Sequence, residues 1–268
     1  MWLTVDHVTR YSYDRPVRGV VQSHRLTPSV FDGQRVIDWQ ISVTGGISGG
    51  AFRDGAGDMV QGWTVPGPVS EIEVRVQGTI DTVDLTGVLR GHREGVAPAA
   101  YLRSTVPTLA DAAIIRLAAS VTADDALARA HALSAAVADA IAYRPGVTDA
   151  HTTAAEALAQ GEGVCQDHAH TLIAMARSLG MPARYISGYL HSTADGEGHE
   201  AAHAWAEIHI PGLGWVGFDA ANRCCPDDRY IRLGSGMDAQ DAAPIRGISR
   251  GGAQEKMSVT VAIQAAQQ

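Results

Sequence analysis

Cys165 lies in the run Gly161-Glu162-Gly163-Val164-Cys165-Gln166-Asp167-His168-Ala169-His170, directly ahead of an apolar-periodic stretch. The spacing predicts a thiol at a helix N-terminus. There the positive end of the helix dipole favours the thiolate, the reactive form of cysteine. His203 and Asp219 fall downstream on two predicted strands. Together the three supply a nucleophile, an imidazole to exchange protons, and a carboxylate to orient that imidazole. An acyl-transfer site also needs donors for an oxyanion, and the Cys165 amide, at the start of a helix, has no intrahelical acceptor to occupy it. Tyr143, Gln160 and Gln166 are candidates for a second donor, with Tyr143 preferred.

Several elements must position these groups. Ala169, Leu172, Ile173, Ala176 and Leu179 follow the i, i+3, i+4, i+7 rule, and Gly180 and Pro182 stop the helix that Cys165 begins. Residues 122 to 143 read as an alanine-rich helix capped by Thr122, with Leu127, Ala130, Leu133, Val137 and Ile141 on one face. Thr153 and Glu156 form a capping-box pattern for a short helix through Ala159. Strands follow: Arg184 to Leu190, Ala202 to Ile210, and Trp215 to Ala220 after the turn Pro211-Gly212-Leu213-Gly214. Period-two alternation puts His203, Trp205, Glu207 and His209 on one face of their strand, and Ala204, Ala206, Ile208 and Ile210 on the other. His203 and Trp205 are thereby expected on a site wall. The tight turn makes the His203 and Asp219 strands antiparallel neighbours, within plausible reach of a side-chain hydrogen bond. The insert from His191 to Glu200 reads as a loop bordering a cleft.

Residues 1 to 105 are different in kind. Short alternating runs, such as Val36 to Val43 and Glu71 to Ile80, are separated by Gly45-Gly46, Gly49-Gly50 and Asp54-Gly55-Ala56-Gly57-Asp58. This is a β-rich domain without a catalytic pattern, joined to a helix-then-sheet, α+β core over residues 106 to 247. Residues 248 to 268 end in an alternating strand, Met257 to Ile263, expected to return to the N-terminal sheet.

With 268 residues, 46% of them apolar and 19% charged, the chain can bury one large core or two smaller ones. The formal net charge is −8 and no basic block occurs, which argues against nucleic-acid and anionic-membrane partners. The first residues lack a secretory pattern, and no apolar stretch approaches the ~20 residues of a membrane span, so a cytoplasmic location is expected. Cys224 and Cys225 are adjacent, and with Cys165 they make no disulfide framework; the pair is read as ordinary thiols. Cys165, Asp167, His168, His170, His199 and His203 contain plausible zinc ligands. His168 and His170, however, stand roughly 200° apart around a helix, which opposes a shared ion. No metal and no other cofactor is expected. His168 is expected to line the site or bond a loop, not to act as base.

Val164-Cys165-Gln166-Asp167-His168, then Gly180-Met181-Pro182-Ala183-Arg184-Tyr185, then His203-Ala204-Trp205-Ala206-Glu207 and Gly214-Trp215-Val216-Gly217-Phe218-Asp219 resemble the core of bacterial transglutaminase-like cysteine proteins. Tyr11-Ser12-Tyr13-Asp14-Arg15-Pro16-Val17 and Arg25-Leu26-Thr27-Pro28 resemble the β-rich domain that precedes that core in one bacterial branch. The resemblance covers nearly the whole chain. It implies a papain-like core, a Cys165, His203, Asp219 triad, and acyl transfer through a thioester on a peptide or protein amide. It leads one to expect a proline after the aspartate. This chain has Ala220-Ala221-Asn222, which is expected to loosen the turn while keeping the carboxylate. Hydrolysis of an amide or peptide bond is the first expectation. The alternatives are a transglutaminase that joins a glutamine acyl group to an amine, or a silent binding module of the same fold, which the intact trio opposes.

Overall fold

The computed structural model describes residues 1–191 and 202–265. Alternation of apolar and polar residues in the first third of the chain produces β1 (Trp2–His24), β2 (Gln34–Val43), β3 (Ile47–Arg53) and β4 (Met59–Thr82). The runs expected to be short strands merge, so β1 and β4 are 23 and 24 residues long. They pair antiparallel along their length, with register shifts between Ser12 and Gly19 that bend β1. Gly49 and Gly50, expected in a turn, instead lie inside β3, at its register shift between Ser48 and Ala51.

Two single-turn helices, Pro98–Leu102 and Val106–Thr108, lead into α1 (Ala112–Ser120) and α2 (Ala126–Ala140). The sequence reading did not anticipate α1, and it began α2 too early. Asp125, not Thr122, caps α2, its Oδ1 accepting the Ala128 N–H at 2.8 Å. After β5 (Ala142–Tyr143) comes α3 (Ala154–Gln160), whose Thr153/Glu156 capping box forms as expected and whose end is set by Gly161 at φ 72°. β6 (Glu162–Gly163) pairs with β5, and α4 (Cys165–Ser178) starts immediately beyond it.

The remaining strands are β7 (Ala183–Leu190), β8 (Ala202–Ile210), β9 (Gly214–Phe218), β10 (Tyr230–Gly236), β11 (Ile245–Arg250) and β12 (Glu255–Ala265). Strands β10-β7-β8-β9 form one antiparallel sheet. β11 and β12 pair with β1 in the N-terminal sheet. The sequence reading missed β10, and most of the loop expected over 191–200 lies outside the described residues.

The four-stranded sheet is covered on both sides. Ala204, Ala206, Ile208 and Ile210 join Leu172, Ile173 and Met175 of α4 in one apolar core. Toward the β10 edge, Tyr189, Ile231 and Leu233 pack instead with Leu3, Val65, Val74 and Ile80 of the N-terminal sheet. Charged groups also cross this second interface. The Arg232 guanidinium meets Asp58 at 2.9 Å and Glu207 at 2.9 Å, Arg184 meets Glu207 at 2.7 Å, and Asp58 also accepts from the Ser235 N–H at 2.7 Å. Burial between layers explains why β7 and β10 are enclosed on both faces, and why α4 is buried nearly all around where a single apolar face was expected. Among the described residues no helix is long and apolar enough to cross a membrane.

Candidate active site

Cys165 is the first residue of α4, and the start of that helix is fixed by its own side chains. The Asp167 carboxylate reaches back to accept the Val164 N–H at 2.8 Å and the Thr148 hydroxyl at 2.6 Å. Gly163 is required beside it, because a Cβ there would stand 2.7 Å from the Asp167 carboxylate. His168, one turn into the helix and 2% exposed, lies with Nδ1 2.9 Å from the Val164 carbonyl oxygen and Nε2 2.9 Å from that of Ile141. It therefore ties the helix start to the end of α2 instead of opening onto a cleft. Tyr143 stands on β5 in register with Gly163, half exposed, its ring centroid 6.3 Å from that of His168. Gln166 turns toward the neighbouring loop, its amide 3.4 Å from the Asp149 carbonyl.

His203 enters from β8, and its Nε2 is 2.6 Å from Asp219 Oδ2 at the end of β9. The turn between those strands makes them neighbours, as the spacing predicted. Nε2 is thus committed to the carboxylate, and the Cys165 thiol also acts on the ring, favouring its charged form. Burial by itself disfavours the imidazolium. The hydrogen bonds to Asp219 and Cys165 outweigh it, so the His203 pKa rises to about 10. Asp219 is likewise buried, which opposes its ionisation, yet the bonds from His203, Asn222 and Tyr230 hold it below the usual carboxylate range.

Two partners of Asp219 escaped the sequence reading. The Asn222 backbone N–H donates to Oδ1 at 3.1 Å and its side-chain amide to Oδ2 at 2.7 Å, while the Tyr230 hydroxyl donates to Oδ2 at 2.8 Å. The turn after Asp219, expected to be loosened by the missing proline, is closed by paired backbone bonds between Asp219 and Cys224 of 2.8 and 3.1 Å, with Arg223 at φ 54°. Asn222 does locally what a rigid ring would do, by tying the turn to the carboxylate it presents. The signal for Tyr230 was present: the turn-forming Pro226-Asp227-Asp228 precedes the alternating run Tyr230-Ile231-Arg232-Leu233.

Trp205 shares the His203 face, as alternation predicted; it is 3% exposed and lines a cavity together with Glu207, Pro226 and Tyr230. Its indole stacks 6.4 Å behind the His203 ring and meets Tyr230 edge-on at 5.5 Å. Glu207, next on that face, is spent on Arg184 and Arg232. The zinc candidates diverge. His168 faces two carbonyls and His170 accepts the Ala239 N–H at 3.0 Å, while His199 lies outside the described residues. Among the described residues no three His, Cys, Asp or Glu groups assemble to hold a metal. Cys224 and Cys225 are free thiols; burial raises both, Cys225 to about 11.

Comparison with known proteins places the chain among relatives. The transglutaminase-like superfamily model matches residues 115–220, and the bacterial transglutaminase-like N-terminal region matches residues 3–81. The uncharacterized protein ML0607 of Mycobacterium leprae is 30% identical over 286 residues, covering 98% of this chain and 99% of that protein. The uncharacterized Rv2569c of Mycobacterium tuberculosis is 42% identical over 115 residues, 40% of this chain and 37% of that protein. A solved structure from Cytophaga hutchinsonii, described as a candidate cysteine protease, superposes with a TM-score of 0.75 at 23% identity, covering 100% of this chain and 92% of that one. That likeness shows a common fold.

Proposed function

The chain belongs to the transglutaminase-like superfamily, in the arrangement that sets the bacterial N-terminal region ahead of the core, and from that premise we propose that it hydrolyses an amide or peptide bond through Cys165. The carrying observation is the His203 ring bonded to Asp219 Oδ2 at 2.6 Å, with its charged form favoured by that carboxylate and by the thiol that begins α4. In this reading the Cys165 sulfur attacks the substrate carbonyl, forming a C–S bond and an oxyanion that faces the Cys165 N–H. Tyr143 is assigned the second donor. His203 gives its proton to the leaving amine as the C–N bond breaks, and a thioester remains. Water then attacks the thioester, His203 takes the water's proton, and the acid product and Cys165 are released. Asp219 holds the imidazole in the tautomer that each transfer needs. The substrate is a peptide or protein amide, and no cofactor takes part.

Iodoacetamide labelling followed by peptide mass analysis tests the nucleophile. Cys165 is expected to react at least about tenfold faster than Cys224 or Cys225, and His203→Ala is expected to remove that advantage. Equal labelling of all three thiols refutes an activated Cys165. A glutamine-containing peptide library, incubated with and without a primary amine, then reads the acceptor. Cleavage or ammonia release without amine adducts supports hydrolysis, whereas amine adducts as the main product assign the enzyme to transglutaminase chemistry.

A further inference from the structure

Orienting a histidine takes one carboxylate oxygen, yet Asp219 Oδ2 receives three donors: His203 Nε2 at 2.6 Å, the Asn222 amide at 2.7 Å and the Tyr230 hydroxyl at 2.8 Å. Tyr230 spends its proton on Asp219, so its oxygen is the acceptor for the Cys224 thiol 3.3 Å away. The result is a directional chain from Cys224 through Tyr230 to Asp219, met from the opposite side by His203. Tyr230 is 5% exposed and its ring is fixed edge-on against Trp205, which itself stacks on His203. The hydroxyl is therefore held in place before any substrate arrives.

Donors that share one oxygen divide its negative charge among them. We propose that Tyr230 and Asn222 are positioning residues that draw charge off Asp219 and so keep His203 acidic enough to protonate the leaving amine, a role that rests on the thiol–imidazole reading above. Without either donor, the carboxylate binds the imidazolium proton more tightly, and the general acid is weakened at the step that expels the amine. The other titratable groups facing this cluster are Cys165 from α4 and Cys224 from the turn after β9. Asp227 and Arg229, paired with each other at 2.7 Å, act on it through Cys224, and Arg229 acts on it through Tyr230 as well.

Alkylation of the full chain by iodoacetate, followed across about pH 5–11, separates the possibilities. This anionic probe is drawn to the His203 imidazolium, so the wild-type rate at Cys165 falls as His203 loses its proton. Tyr230→Phe is expected to move the falling limb upward by roughly 0.5–1 pH unit. Circular dichroism establishes that the variant is folded, and the 15N signals of the His203 ring are expected to titrate with the same shift. Should Tyr230→Phe fail to fold, Asn222→Ala, at an exposed side chain, carries the same prediction. A folded variant whose falling limb stays in place or moves down overturns the role of these donors while leaving the nucleophile intact. A wild-type profile with no falling limb overturns the thiol–imidazole reading and this role together.

Discussion

Glu207→Gln probes the charged seam between the two sheets. Glu207 is 3% exposed and accepts from Arg184 Nε at 2.7 Å, Arg232 Nε at 2.9 Å and Arg232 Nη2 at 3.3 Å. At such separations, with an effective dielectric near 20, each ion pair has a gross attraction of about 5–6 kcal/mol, most of it offset by the desolvation of both charges. The substitution removes the attraction but leaves the desolvation of the two guanidinium groups in place. Arg184, fully buried, keeps Glu94, and Arg232 keeps Asp58, but a neutral amide now faces both guanidinium groups and turns an NH2 toward one of them. The expected loss is about 3–5 kcal/mol, the range for breaking a buried pair from one side. At 2–4 °C per kcal/mol this lowers the melting temperature by roughly 6–20 °C. Urea unfolding at neutral pH measures it, with the midpoint shifted and the slope retained. Arg223→Ala serves as the control, since Arg223 and Asp139 pair on the surface with side chains 59% and 71% exposed; its expected cost is below about 1 kcal/mol. If Glu207→Gln also stays within about 1 kcal/mol of wild type, the seam contributes no more than a surface pair and the reasoning is wrong.

Two further outcomes are expected. Gly163→Ala drives a Cβ to within 2.7 Å of the Asp167 carboxylate that caps α4, and a cost of about 1–3 kcal/mol with slower Cys165 alkylation is expected; unchanged stability and unchanged labelling together would show that the cap tolerates displacement. Stability should also fall at both ends of the pH scale. Asp58, Glu207 and Asp219 have depressed folded pKa values, so their contribution is complete above their ordinary values of 3.8 for Asp and 4.5 for Glu, and is lost as pH falls through the depressed values. His203 has a raised folded value, so its contribution is complete below its ordinary 6.5 and is lost as pH rises through about 10. Melting curves across pH check both signs, and an alkaline decline that survives in Asp219→Asn would show that it does not originate in the His203–Asp219 pair.

Local patterns made the middle of the core readable. The period of α4 and the capping box of α3 depend on side chains a few residues apart, and both elements form where the sequence places them. The antiparallel pairing of β8 and β9 follows from a short turn. The start of α2 was misplaced because Thr122 and Asp125 are both good caps, and the choice between them depends on α1, whose nine residues gave too weak a pattern to read. Tyr230 was missed for a different reason. Its strand reaches Asp219 from eleven residues away and from the far edge of the sheet, beyond β7, and no local spacing encodes that approach.

By itself the sequence determined the chemistry available: a thiol at a helix start, and an imidazole and a carboxylate on strands that a tight turn makes neighbours. These follow from helix and strand periods, which are properties of a few consecutive residues. Tertiary structure alone decided what surrounds the carboxylate, why Trp205 and Glu207 are buried, and how the N-terminal sheet covers the second face of the core. Those outcomes depend on which distant surfaces lose water to one another. Hydrophobic burial is non-directional, and its partners are selected by the packing of whole layers rather than by spacing along the chain.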